Sequence, residues 1–590
     1  MSKEPTSWGA VWRLIQPYWV SEEKWRARGL LLTIIALVLG MVYLEVLFNT
    51  WNREFYNALE AKNFQAFTAQ LWRFTYLAFI FIAVAIYRIY LTQSLQMRWR
   101  IWMTAQYMER WLSKQAYYRI EQTHSADNPD QRIAEDLNFL TTGTLALALG
   151  LLSSVVTLVS FIGILWSVSG PISFMLGAHA WTIPGYMVWF AIAYAGIGSL
   201  IVGWVGWPLI RKNFYQQRFE ADFRFGLIRV RENAEAVALY RGEVQEKKQL
   251  AGHFERIREN WWGIMRTTKS LNLASTFYSQ FANIFPFLMA APRYFSGAIT
   301  LGGLMQIGSA FGQVQGALSW FISAFSDVAA WKASVNRLAG FHAAVDAAHV
   351  DLQGVACHAN NVGAILIEQL RLDLPDGQVL TTELSAEIQQ GERILIAGPS
   401  GCGKSTLVRA IAGVWPYGVG QIEIPQAWTL LFLPQRSYLP IGSLRAAIAY
   451  PAAENRYTDL AISHYLELCQ LPQLKQQLDH ADNWSQRLSP GEQQRLAFAR
   501  ALLMRPDVLF MDEASSALDT ASEDLMYQLL LQELPDAAIV SVAHRESVAQ
   551  YHQIRWQFVA QAAVFEAADI AAAGVTKRNV YSIHRPPSGK

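Results

Sequence analysis

Cysteine is scarce in this chain: Cys357, Cys402 and Cys469 are three among 590 residues. They have no metal-ligand spacing and no obvious pairing, which suits a reducing compartment. Charge is scarce as well. Asp, Glu, Lys and Arg make up 16% of the residues against 52% hydrophobic, too apolar a balance for a soluble enzyme of this size. The net charge of +2 gives no sign of a nucleic-acid partner. No secretory leader is expected either, because Met1 to Arg28 holds no short apolar core followed by a small-residue cleavage site. Trp8, Val11, Trp12, Ile15 and Tyr18 instead recur at helical spacing, which predicts that residues 1–28 form an amphipathic segment on a membrane surface.

What the chain has in abundance is long apolar stretches and Trp, 22 in all, a residue that membrane interfaces favour because one ring edge is wet and the rest apolar. Stretches long enough to cross about 30 Å of hydrocarbon run over Gly29 to Trp51, Phe74 to Leu95, Thr144 to Val168, Pro184 to Trp207, Leu271 to Ala291 and Ile299 to Ser326. Six spans are therefore expected within residues 29–345. Lys and Arg set their orientation. Leaving out Arg73 at a boundary and Arg88 inside a span, residues 1–28, 96–143 and 208–270 hold five, six and thirteen, whereas the alternate segments hold three between them. The N-terminus is thus expected on the cytoplasmic side, and an even number of spans returns the C-terminal half there. The two basic segments are long, so the helices flanking them should continue well past the bilayer.

The C-terminal half contains Gly398, Pro399, Ser400, Gly401, Cys402, Gly403, Lys404, Ser405 and Thr406 between the apolar run Ile394 to Ala397 and the helical pattern from Leu407. A strand, a glycine-rich loop and a helix in this order make a phosphate cradle of inward backbone N–H groups at a helix N-terminus. Lys404 reaches the terminal phosphates of ATP, and Ser405 supplies a hydroxyl to Mg2+. Val508 to Met511 reads as a buried strand that ends on Asp512 and Glu513. Asp512 is expected to hold the Mg2+ shell and Glu513 to polarise the attacking water. Leu488-Ser-Pro-Gly-Glu-Gln-Gln-Arg495 opens another helix, with Ser489 as N-cap and Pro490 in its first turn.

These segments resemble the ATP-binding cassette of ABC transporters, in which the Ser489-Pro-Gly491-Glu492 signature faces phosphates bound by another copy of the domain. Gln435 matches the family's Q-loop, Ser516 to Asp519 its D-loop and His544 its switch histidine. The resemblance implies that Gln435 links Mg2+ to the coupling loops and that His544 contacts the γ-phosphate. Ser489, Gly491 and Glu492 join the phosphate loop as ATP-binding residues. It narrows at Asn128-Pro-Asp-Gln-Arg-Ile-Ala-Glu-Asp136 and Trp51-Asn-Arg-Glu-Phe-Tyr-Asn-Ala-Leu59. These look like the SbmA/BacA-related ABC transporters of bacteria, in particular the YddA-like members with a fused cassette. Subfamily D ABC transporters of peroxisomes are similar in the same loop and signature.

The implied architecture is an all-α six-helix transmembrane domain of ABC exporter type (type IV), then an α/β P-loop NTPase cassette. Its cytoplasmic loops are implied to press on the cassettes near Asp136 and Glu235. The expected boundaries are a linker at 346–359, the cassette at 360–559 and a tail of no assigned function at 560–590. The expected assembly is a homodimer in a bacterial inner membrane that moves a small-molecule or peptide solute, with no nucleic acid involved. Relatives of the SbmA/BacA type bring peptides inward, some with fused cassettes take up cobalamin, and subfamily D relatives move acyl-CoA esters. A membrane-anchored ATP sensor would be marked by loss of Lys404, Glu513 or His544, and all three are present.

Three features stand apart. The stretch Leu372 to Gln378, where many cassettes carry an adenine-stacking aromatic, has none. Glu45 and Arg88 fall inside spans, where a charge is expensive. Glu45 is expected either to contact protons or solute or to be paired near the interface. Gln306, Ser309, Gln313, Gly316, Trp320 and Ser323 repeat along one face of the sixth helix, and Asn272, Ser275, Ser279 and Asn283 along the fifth. Such stripes line a water-filled cavity or pack helices together, and Glu45, Gln306 and Gln313 are the candidate cavity residues.

Overall fold

The structure is a computed structural model that describes residues 8–123, 125–176, 179–350, 354–559 and 564–569. The chain forms two compact units, one of Met1–Ser113 with Ala126–Val345, the other of Lys114–Ser125 with Asp346–Lys590.

The first unit is helical. A short helix, Trp8–Val20, precedes six long ones: Lys24–Glu60, Phe64–Leu112, Leu137–Ser169, Tyr186–Glu232, Glu243–Phe295 and Leu301–His349. The second and fifth have 49 and 53 residues, about 74 and 80 Å at the helical rise, so they outrun the hydrocarbon as the basic loops predict. Among the described residues, the first four carry a stretch apolar enough to cross a membrane by composition. The fifth and sixth have the length but dilute their apolar residues with the Asn, Ser and Gln stripes. Helices one and two pack as a pair, as do four and five. Between helices three and four, Ile172–Leu176 and His179–Ile183 form an antiparallel hairpin.

The amphipathic segment is a helix with one docked face. Tyr18 is fully buried and stacks on Trp99 of the second long helix at 5.6 Å, while Trp8 and Trp12 remain exposed. Residues 1–7 lie outside the described residues.

Small and polar side chains close the helix packing. At Gly302 an added Cβ would lie 2.0 Å from the Arg53 carbonyl oxygen, so only glycine lets the sixth helix start against the end of the first. Its N–H donates to Asn57 Oδ1 at 3.0 Å. One turn on, Gln306 Nε2 donates to Asn49 Oδ1 at 3.0 Å and Asn49 Nδ2 to the Gln306 carbonyl at 3.2 Å. Both side chains are buried. Gln306 thus joins helices one and six, and it is not among the residues that line the cavity described next. Gln313, two turns further, does line one, of about 530 Å3, together with Glu45, Asn49 and Asn52.

Asp136 has partners that the sequence did not show. It lies buried in a single π turn, Arg132–Asp136, at the start of the third long helix. Its carboxylate accepts from Arg132 at 2.8 Å, from Ser334 Oγ at 2.8 Å and from the Arg337 guanidinium. Burial opposes its ionisation, but these hydrogen bonds win and hold the carboxyl below its ordinary value. It therefore locks the third helix to the sixth. Glu235 sits on the seven-residue helix Ala234–Tyr240 and is exposed, as a loop position should be.

In the second unit a six-stranded sheet runs in the order Val564–Asp569, Ile554–Val559, Arg393–Ala397, Ala538–Val542, Val508–Asp512, Leu430–Leu433. All neighbours are parallel except the first pair. The parallel strands are buried on both faces and read as apolar runs, Ile394 to Ile396, Val508 to Met511 and Ala538 to Val540. A second sheet, Ala356–Asn360, Gly418–Pro425, Ala364–Leu372, Leu384–Gln389, packs through Ile365, Ile367 and Ile388 into the same core. Two boundaries move. Ala356–Asn360 pairs with Gly418–Pro425, so the sheet begins inside the segment read as linker. Val564–Asp569 pairs with Ile554–Val559, so it also takes in part of the expected tail, of which 560–563 and 570–590 lie outside the described residues. The helix Ala116–Thr123, which sequence order places between two membrane helices, belongs to this unit.

Candidate active site

Strand register gathers the reactive groups. Val542 lies opposite both Asp512 and Ile396 in the parallel sheet, so the residues that follow these strands emerge on one rim. These are the phosphate loop after Ala397, Glu513 after Asp512 and His544 after Val542. In open α/β sheets this carboxyl rim is where ligands bind.

The loop needs its glycines, since Gly398, Gly401 and Gly403 all have positive φ, at 148°, 79° and 98°. It feeds directly into the helix Lys404–Ile411, whose Leu407 and Ile411 are buried in the core. The first N–H groups of that helix face the loop as an anion site. Lys404 is buried, and its Nζ donates to the Gly398 and Pro399 carbonyls at 2.8 and 2.6 Å. Ser405 Oγ donates to Asp512 Oδ1 at 2.8 Å. Cys402 is half-buried, and all three cysteines are free thiols.

Glu513 is held from two sides. Gln435 Nε2 donates to its Oε2 at 2.8 Å, and His544 Nε2 lies 3.1 Å from its Oε1. Its backbone is left-handed, with φ of 51°, a strained conformation for a side chain of this kind. The turn lifts the carboxylate out of the strand line while its N–H still donates to Val542 O at 3.0 Å.

The signature helix, Pro490–Met504, starts with a capping box. Ser489 Oγ accepts from Glu492 N at 3.4 Å, and the Glu492 carboxylate accepts from Ser489 N and Oγ at 2.9 and 2.8 Å. The Ser489 backbone N–H is the main cause that holds Glu492 below its ordinary value. Glu492 was expected among the ATP-binding groups. Its carboxylate instead closes its own helix, and Ser-x-x-Glu at 489–492 is the sequence signal for that role. Ser489 and Gly491 stay at the exposed helix tip.

Three ties went unread in the sequence. Arg545 donates to the Leu518 and Ser516 carbonyls at 2.9 and 3.1 Å, joining the residue after His544 to the D-loop. Gln494 accepts from Ala517 N at 2.9 Å and donates to Ser516 Oγ at 3.2 Å, so the signature helix holds the same loop. Arg500 donates to Ala447 O at 2.7 Å and Tyr438 O at 3.1 Å, fixing the chain just after Gln435. Burial pulls the Arg500 guanidinium down to about 10, where it remains charged at neutral pH. All three acceptor sets are backbone or loop atoms, which side-chain patterns do not reveal.

With this geometry established, likeness to other proteins can be weighed. Residues 14–295 match the ABC transporter transmembrane region 2 family and residues 381–516 the ABC transporter family. An uncharacterised ABC transporter ATP-binding protein of Haemophilus influenzae is 35% identical over 93% of this chain and 92% of its own length. The inner membrane ABC transporter ATP-binding protein YddA of Escherichia coli is 32% identical over 91% of this chain and 94% of its own. A bacterial Atm1-family ABC exporter with ATP bound shares the fold, with a TM-score of 0.68 at 17% identity over 90% of this chain and 93% of that one. The chain belongs to the ABC transporters, in the YddA-like group that fuses a type 2 transmembrane region to the ATP-binding domain. It is a membrane protein that binds ATP and hydrolyses it to drive transport.

Proposed function

We propose that two copies of this chain make one transporter of a bacterial inner membrane, with the N-terminus and cassette on the cytoplasmic side, moving a polar or amphipathic solute such as a peptide or a cobalamin-like compound. The observation that carries the reading is Glu513 between Gln435 and His544, beside the Ser405 and Asp512 pair. A carboxylate held by two hydrogen-bonding partners is oriented without being buried, which suits a group that must align a water.

In this reading the phosphate loop and Lys404 bind the phosphates of ATP. Glu513 accepts a proton from the water that attacks the γ-phosphate, and His544 holds Glu513 and that phosphate in line. Mg2+, when bound, neutralises charge on the phosphates. The Ser405 hydroxyl, the Asp512 carboxylate and the Gln435 amide are the hard oxygen donors that fit it. Ser489, exposed at a helix tip, and Gly491, half-buried beside it, complete the site of the other copy, giving two composite sites per dimer. Movement reaches the helices through the loops that carry Glu235 and the segment Lys114–Ser125.

The test is nucleotide trapping by purified Glu513→Gln. Two ATP molecules should stay bound per pair of chains while turnover falls by roughly a hundredfold or more. Hydrolysis at the parental rate would sink the role of Glu513, and a monomer that traps ATP would sink the composite site.

A further inference from the structure

A second cavity of the helical unit, about 460 Å3, is lined by Arg88, Thr92, Gln93 and Gln96 of the second long helix, Ser154 of the third and Trp320 of the sixth. None of its lining residues is acidic. Arg88, Ser154 and Trp320 all fall within stretches read as membrane spans. Several arginines of this unit meet an acid: Arg73 meets Glu54, and Arg132 and Arg337 meet Asp136. The Arg88 guanidinium has no such partner among the described residues, and its Nε is buried without a hydrogen bond. Glu45, the other charged residue inside a span, lines the other cavity.

A guanidinium stays charged at any working pH, and keeping one at bilayer depth is costly unless it meets an anion. Its planar fork of donors fits a carboxylate or phosphate with two parallel hydrogen bonds. The opposite wall is built for an apolar group. Trp320 lies so close to the third helix that a Cβ added at Gly150 would stand 2.8 Å from its ring. The missing side chain at 150 is what admits the indole. Thr92, Gln93, Gln96 and Ser154 supply neutral hydrogen-bonding groups around the cation.

We propose that this cavity binds the carboxylate or phosphate headgroup of an amphipathic solute that the protein transports, with Arg88 as the anion anchor and Trp320 packing on the apolar part. The assignment rests on the transport reading and names the chemical class of its cargo.

The test is equilibrium binding of labelled decanoate and decyl phosphate to the full-length dimer in phosphatidylcholine nanodiscs without nucleotide, against decyltrimethylammonium and decanol. Both oxyanions should bind at least about tenfold more tightly than the cation or the alcohol. Arg88→Gln should weaken oxyanion binding by about tenfold, equivalent to about 1.4 kcal/mol, with partial recovery in Arg88→Lys. Gly150→Leu, which displaces Trp320 and leaves the charge, should weaken decanoate more than acetate. Parental affinity in Arg88→Gln, or equal binding of cation and anion, overturns the proposal. So does loss of decanoate binding when phosphatidylglycerol is added to the nanodiscs, which would assign the site to a lipid headgroup. Because no ATP is present, these outcomes are independent of nucleotide trapping by Glu513→Gln, and either reading can fail alone.

Discussion

On the rim of the cassette, Glu513 meets Gln435 and His544 within 3.1 Å and Asp512 meets Ser405 at 2.8 Å. In the helical unit Arg88 lines a cavity, and among the described residues it has no acid partner and its buried Nε has no hydrogen bond. The two arrangements serve different needs. A hydrolytic site works by holding its groups in the reacting geometry before substrate arrives, because reorganisation during the reaction raises the barrier. A transport cavity must bind its cargo and then release it, so a polar group there cannot be satisfied permanently by the protein. Asp136 stands between the two cases: an acid in the helical unit whose every neighbour is fixed.

The strongest way to break the contrast is at the rim. His544→Ala removes one of the two groups that orient Glu513 and should lower ATP turnover by about a hundredfold with little change in ATP affinity. A steady-state assay of the reconstituted dimer checks this, and a change confined to KM would mean that the pairing orients nothing. Next comes Asp136→Asn, which leaves Arg132 and Arg337 facing a neutral amide. Breaking a fully buried pair costs about 3–5 kcal/mol. Arg337 is half-exposed, so about 2 kcal/mol is expected, read as a lower melting temperature of the full-length protein. An unchanged melting temperature would put Asp136 in the same class as a group awaiting a ligand.

The rim also rests on a buried histidine. His552 donates from Nδ1 to Val548 O at 2.8 Å and accepts from Ser541 Oγ at 2.8 Å. Burial pulls its pKa down to about 4. An unfolded chain with a histidine of about 6.5 binds the extra proton first, so stability is lost as pH falls through the window from about 6.5 to 4. Between pH 7 and 5 the cassette should lose about 2 kcal/mol, and His552→Gln should flatten that slope in urea unfolding followed by intrinsic fluorescence. The smallest effect sharpens the helical side. Gln306→Leu strands Asn49 and should cost about 1 kcal/mol, much of it regained in the double variant with Asn49→Leu. Loss of transport with no loss of stability would return Gln306 to the cavity wall.

The cassette was legible in the sequence because phosphate chemistry dictates residue types. Backbone N–H groups at a glycine turn, a lysine, a hydroxyl and a carboxylate at a strand end have few substitutes, and register then brings them together. The helical unit was legible in length and polarity but not in pairing. A three-to-four repeat gives the face of a helix; it does not say that Gln306 meets Asn49 or that Gln313 meets open space. The partners of Asp136 and Glu492 were hidden for a related reason, since a family motif marks where a residue lies and not which neighbour takes its charge. The polar strand Ala356–Asn360 was hidden because its only sheet neighbour is a strand more than fifty residues further on.

Sequence order and structural membership part company at Lys114–Ser125. Ala116 and Ile120 of that stretch are fully buried, and Arg119 donates to the Ala348 carbonyl at 2.9 Å. An ATPase fragment cut at residue 346 would be born with a piece missing, and its melting behaviour would describe an injured domain. The same stretch is spliced by a few residues on either side to two helices of the other unit. A displacement of the cassette that keeps this piece seated therefore pulls on both helix ends by covalent bond.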